Sequence, residues 1–230
     1  RHRGRTGAAP PASAPLTARP HMRKTGPVND FAPLASPHGT PVAGVLVRPA
    51  EPGDAARVAR LLTLRGTSVE EARERAPHVI ASLPVLLLAL LPAAEAAGEK
   101  DSAHGRAADP GELDDDLLAP VALSGAFPLP ERLRASLPEP DDDTEAWMVS
   151  GLVVDPVARR RGVGRVLLTA VAYAVRALGP AADLYSVVNA SNHASIGLYL
   201  AVGFEKVAPL SAFGAVTFEG GRGVLLRRAG

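Results

Sequence analysis

The distribution of apolar and polar positions divides this chain into short elements with clear stops. Val85 to Leu91 is apolar at every position between Pro84 and Pro92, which predicts a buried strand. Pro120 to Phe127 predicts another, and Ala146 to Val154, rich in Val and stopped by Asp155-Pro156, a third. Val163, Val166, Leu167, Ala170, Val171, Ala174, Val175 and Leu178 then recur at three- and four-residue steps. That spacing is the apolar face of a helix, and Gly179-Pro180 closes it.

The flanking segments are patterned more weakly. Val45 to Pro49 predicts a short strand, turned by Glu51 to Asp54, with Asp54 the expected N-cap of a helix carrying Ala55, Val58, Leu61 and Leu62. Ser68 and Glu71 have capping-box spacing for a second helix running toward Ile80. Asp183 to Val188 predicts a strand, and Asn192 to Val202 a helix with Gly203 at its C-cap. Phe204 to Ala208, Gly214 to Glu219 and Gly223 to Arg228 are expected to finish as antiparallel strands, the last two joined by the Glu219–Arg222 turn.

Three polar stretches interrupt this pattern. Residues 1–43, rich in Pro, Ala and Arg, bury too little apolar surface to offset ordering entropy, so a disordered tail is expected before a domain spanning 44–230. Residues 93–117 and 138–145 are acidic and read as insertions. They are either solubilising loops or a carboxylate border that attracts a cationic amine.

Composition narrows the function classes. The net charge of +1 does not support a nucleic-acid binder running on bulk electrostatics, although the basic N-terminal arm leaves that reading testable. Without cysteine there are no disulfides, thiolate metal sites or Cys nucleophiles. No apolar run approaches the roughly 20 residues of a membrane span, and the N-terminal segment lacks a secretory apolar core, so a cytoplasmic location without membrane partners is expected. No P-loop, dinucleotide fingerprint, metal-ligand spacing or Gly-x-Ser-x-Gly elbow occurs.

Candidate chemistry concentrates between Glu145 and Phe204. After the strand ending Val153-Val154-Asp155-Pro156 comes a turn holding Arg159, Arg160, Arg161, Gly162, Val163, Gly164 and Arg165 at the mouth of a helix. Unpaired N–H groups and the positive end of the helix dipole suit such a turn to a phosphate or pyrophosphate.

Arg159-x-x-Gly162-x-Gly164 after this strand resembles the acyl-CoA signature of the GNAT-type N-acetyltransferases. Asn192-His193-Ala194-Ser195-Ile196-Gly197-Leu198-Tyr199-Leu200-Ala201-Val202-Gly203-Phe204 resembles that family's second signature. The resemblance implies an α/β (α+β) domain, with a mixed, mostly antiparallel twisted sheet flanked by helices. In that fold the strand matching Ser150–Val154 bulges and splays from its neighbour. It implies acetyl-CoA as co-substrate and an amine acceptor, of a small molecule or a protein, attacking directly in a ternary complex. Leu152, Val153 and Val154 would face the thioester, and Arg159 to Arg165 the pyrophosphate, with Gly162 and Gly164 admitting the phosphates.

Tyr199 would protonate the leaving thiolate, or else be a core tyrosine with an anchored hydroxyl. Asn192 would hold the pantetheine arm or cap its helix. The general base is open between Glu145 at the strand's start and a water chain through Ser150. Because the strand lacks the family's usual carboxylate, a non-catalytic acyl-CoA-binding sensor or interaction module is the alternative function. A homodimer is left open.

Overall fold

The structure, a computed structural model, describes residues 44–96, 117–138 and 144–230. The expected disordered tail and most of both acidic insertions lie outside the described residues. A seven-stranded sheet organises the rest, in the order β1-β2-β3-β4-β5-β9-β6. Its strands are β1 (Leu46–Pro49), β2 (Val85–Pro92), β3 (Leu118–Pro128), β4 (Ala146–Val154), β5 (Asp183–Asn189), β6 (Glu205–Leu210) and β9 (Gly223–Arg228). Neighbours are antiparallel throughout except for β4 and β5, which run parallel.

Helices cover both faces, which is why β2 is apolar at successive positions. Its odd members Val85, Leu87, Ala89 and Leu91 face the cluster built on α5 (Val163–Leu178). Its even members Leu86, Leu88 and Leu90 face α1 (Ala55–Thr63) and α2 (Val69–Ser82). On the α5 side, Leu167, Leu168, Val171 and Val175 are fully buried, joined by Ile196 and Tyr199 of α6 (His193–Ala201). Short helices α3 (Ala93–Ala96) and α4 (Glu131–Arg134) complete the set. Among the described residues, no helix is long and apolar enough to cross a membrane.

Two expectations need correction. Gly214 to Glu219 does not form a sheet strand beside Gly223–Arg228. Only β8 (Val216–Thr217) forms there, paired with β7 (Ala212–Phe213) in a separate hairpin, and the sheet partners of β9 are β5 and β6. Phe213 of that hairpin is buried with Met148, Tyr185 and Leu225, so tertiary packing overrides the local strand pattern.

Asp54 precedes α1 as expected, yet its side chain makes no capping bond. Its carboxylate instead accepts from Arg48 Nη1 and Nη2 at 2.6 and 2.9 Å and from the Glu51 N–H at 2.9 Å, tying β1 to the turn. Ser68 does cap α2, accepting from the Glu71 N–H.

Burial pushes the Asp54 carboxyl up, but the Arg48 and Glu51 hydrogen bonds and the Arg48 charge outweigh it, leaving the group below its ordinary value. The unfolded chain therefore binds this proton more tightly. Its stabilisation is complete above the ordinary carboxylate range and is lost as pH falls through the depressed folded value. Asp54→Ala is expected to cost about 1–3 kcal/mol at neutral pH. In chemical denaturation repeated down to acid pH, the gap to wild type should narrow.

Candidate functional site

The central strand changes phase halfway along. Gly125 of β3 pairs with Gly151 and Ala126 with Val149, so Ser150 is an extra residue without a partner, a β-bulge. Before it, Trp147 and Val149 belong to the α5-side core; beyond it, Val153 belongs to the α1–α2 side, while Leu152 and Val154 pack toward α5. One inserted residue is enough to exchange the faces.

Glycines make the bulge possible. Gly151 has φ +126°, a region that L side chains avoid. At Gly125 a Cβ would collide with the Val85 carbonyl. The buried Ser124 hydroxyl donates to the Gly151 carbonyl at 2.8 Å and pins the kink.

Pairing between β4 and β5 ends just before the bulge. It covers Ala146, Trp147 and Met148 against Asp183, Leu184 and Tyr185, and stops. From Val149 onward the β5-side edge of β4 has no strand partner, so the two strands part as the resemblance implied.

The turn after β4 is held from behind. Asp155, nearly buried, accepts from Arg60 Nη1 at 2.6 Å and from the Val157 N–H at 3.1 Å. Arg60 Nη2 donates to the Pro120 carbonyl at 2.6 Å, beside the irregularity where β3 shifts register against β2. Downstream, Arg160 and Gly162 have φ values of +64° and +77°. The chain thus enters α5 through a left-handed Gly162, whose carbonyl accepts from the Arg165 and Val166 N–H groups. The N–H groups of Gly162, Val163 and Gly164 are without hydrogen-bond partners among the described residues. An anion is the partner such a helix start favours.

The arginines are less uniform than the spacing implied. Arg159 is exposed and its Nε donates to the Val154 carbonyl at 3.3 Å, folding back on β4. Arg160 is exposed, whereas Arg161 and Arg165 are half-buried. Gly164 is also closely packed by the protein itself. A Cβ there would meet Leu198 Cδ2 at 3.1 Å and Val154 Cγ2 at 3.4 Å. Its small size therefore serves the packing of α5 against β4 and α6, and Gly162 is the glycine that the turn's backbone requires.

Tyr199 projects from α6 into the core, 3% exposed, with its ring edge-on to Phe204 at 4.9 Å. Its hydroxyl shares a hydrogen bond with Ser186, the first β5 residue past the last β4 pairing. Burial raises the phenol above its ordinary value, against the opposing effects of the Ser186 bond and the nearby Arg65 charge. It therefore keeps its proton at neutral pH, as a donor must.

Asn192 caps α6, its Oδ1 accepting from the Ser195 N–H at 3.0 Å. Its side chain therefore takes the capping role through Oδ1. Glu145 is not brought to the bulge. Its carboxylate lies against Gly179 at the other end of β4, five residues or about 16 Å of extended chain from Ser150. The distance removes it as a direct base.

Arg65, on the α1–α2 connection, carried no sequence signal beyond belonging to a weakly patterned stretch. It nevertheless reaches the bulge: Nη1 donates to the Ser150 carbonyl at 3.4 Å, and a Cβ on Gly151 would strike its guanidinium. Arg65, Ser150 and Gly151 line one cleft of about 330 Å³ between α2 and the sheet. Another, of about 290 Å³, lies by Arg60 and Asp155, whose charges are already paired. Among the described residues no group of His, Asp or Glu could hold a metal.

Known proteins share this fold. Residues 143–210 match the family model described as FR47-like protein. A GNAT-family protein from Desulfovibrio desulfuricans superposes with a TM-score of 0.53 at 20% identity, over 80% of this chain and 98% of its own. The chain has the GNAT fold. A GNAT phosphinothricin acetyltransferase from Sinorhizobium meliloti, solved with AcCoA, gives 0.52 at 17% identity over 81% and 88% of the two chains. The yncA protein from Salmonella typhimurium, solved with acetyl-CoA, gives 0.51 at 15% over 81% and 94%. No curated protein matches the chain in sequence.

The GNAT bulge and turn both rest on left-handed glycines. Gly151→Ala and Gly162→Ala should each destabilise the fold by about 1–2 kcal/mol, read from urea denaturation midpoints. A shift near zero at either would show that its backbone is not held in that region.

Proposed function

We propose that this protein is an N-acyltransferase that moves an acetyl group from acetyl-CoA to an amine by direct attack in a ternary complex. The observation that carries the reading is the parting of β4 from β5 immediately beside a helix start with unpaired N–H groups. A thioester lying along the free edge of β4 would meet backbone groups near Leu152, Val153 and Val154, and its pyrophosphate would meet Gly162, Val163, Gly164 and the side chains of Arg160, Arg161 and Arg165. Acetyl-CoA supplies the activated acyl group.

The chemistry asked of the chain is modest. The amine nitrogen bonds to the acyl carbon and the C–S bond breaks. Tyr199 gives its proton to the departing thiolate and is reprotonated from solvent. The proton lost by the amine leaves by water at Ser150, since Glu145 is out of reach. Asn192 supports this site by fixing the start of α6, which places Tyr199.

A second reading has one observation in its favour. Among the described residues, no carboxylate stands at the bulge to take the amine's proton. A non-catalytic acyl-CoA sensor with the same cofactor site would need none.

Release of free CoA from acetyl-CoA in the presence of amines, peptides and aminoglycosides separates the two. Acceptor-dependent release supports catalysis; binding without release across the panel supports the sensor. Tyr199→Phe should lower turnover roughly 10²–10⁴-fold while retention on immobilised CoA is kept. An unchanged rate would leave Tyr199 a packing residue. Gly162→Val should lose that retention.

A further inference from the structure

We infer that the acceptor is a small amine bearing a carboxylate, an amino acid in form, bound in the cleft between α2 and the bulge with its anionic group on Arg65 and Arg75. This inference rests on the acyl-transfer reading and specifies which amine that site selects.

The cleft has an apolar floor and a cationic rim. Leu86, Leu123 and Val153 supply the floor, and the groups able to carry full charge are Arg65, Arg75 and His78. Among the described residues no carboxylate lines it. The acidic border that would have drawn a cationic amine falls on residues outside those described, and the walls that are described carry the opposite charge.

Arg65 has no acidic partner among the described residues and donates only a long hydrogen bond, 3.4 Å, to the Ser150 carbonyl. Arg75 has Glu71 one helical turn away at 3.9 Å, with both side chains about 60% exposed. A pair that long and that open holds its arginine weakly. Both guanidinium groups line the same small cleft, so an anion that enters it is attracted by each. Arginine suits a carboxylate because its planar fork matches the two oxygens.

The size of the cleft suits this ligand. About 330 Å³ is enough for a free amino acid. The anchoring charge lies beside the bulge, so an amine one or two bonds from the carboxylate would reach the parting of β4 and β5. The same positive field disfavours an ammonium group. Binding there promotes the neutral amine that attack requires, which lessens the need for a strong base at Ser150.

The test uses the full chain and matched acceptors: L-amino acids, their carboxamides and the corresponding decarboxylated amines. CoA release should favour the carboxylates in kcat/KM by about 10–100-fold, the worth of one charge-assisted contact. In Arg65→Gln, and independently in Arg75→Gln, the ratio of carboxylate to carboxamide should fall toward one. Equal or greater activity on the carboxamides overturns the inference while leaving acyl transfer standing. Calorimetric binding of the amino acids with CoA present gives a readout without turnover. Binding weakened in Arg65→Gln supports the anionic site even where no acceptor reacts, an outcome that counts only against the transferase reading. Binding equally strong in wild type and both variants overturns the site.

Discussion

An extra residue in one strand governs this molecule. Ser150 has no opposite number on β3, and the bulge it makes exchanges the faces of β4 while β5 pulls away from its far half. A regular β4 would send Val153 to the α5 side and Leu152 and Val154 to the other, unseating three apolar side chains. The kink is therefore enforced by core packing on both faces. It is also locked locally, by the Ser124 hydroxyl on the Gly151 carbonyl and by the absence of side chains at Gly125 and Gly151. The opening between strands is thus a property of the folded core and is present before any ligand arrives.

Helix α1 links the two sides of that opening. Through Arg60 it grips Asp155 and the Pro120 carbonyl, which fixes the turn leading into α5. Near its C-terminal end Leu62 lines the cleft over the bulge, and so does Arg65, two residues past the helix on the connection to α2. One helix of nine residues therefore braces the turn leading into α5 and, with the residues just after it, one wall of the cleft. Arg60 sits in the apolar pattern of that helix as an ordinary solvated arginine, and nothing in its spacing marks this role.

Much of the scaffold was legible because its boundaries are punctuated. Asp155-Pro156 and Gly179-Pro180 end β4 and α5 where expected, and the second signature placed α6 and Tyr199. Gly214 to Glu219 misled because a short run of strand-forming residues looks the same whether its partner is a sheet or a neighbouring hairpin. Glu145 is near Ser150 in sequence, yet an extended strand carries five residues about 16 Å and leaves its carboxylate at Gly179. Arg65 was invisible for a different reason: its position depends on the left-handed Gly66 beside it and on a bulge 85 residues away. Contacts of that range leave no periodicity to read.

The double-sided burial of β2 has a consequence for how the chain is made. Seven apolar, uncharged residues from Val85 to Leu91 are safe only when both faces and both edges are covered. Their principal partner β3 lies beyond residues 93–117, so during synthesis the segment emerges well before its cover. Pro84 and Pro92 stand at its two ends, where a residue without an N–H interrupts pairing with a second copy. The strand that joins the two cores thus carries, in its bordering prolines, a local guard against pairing with a second copy.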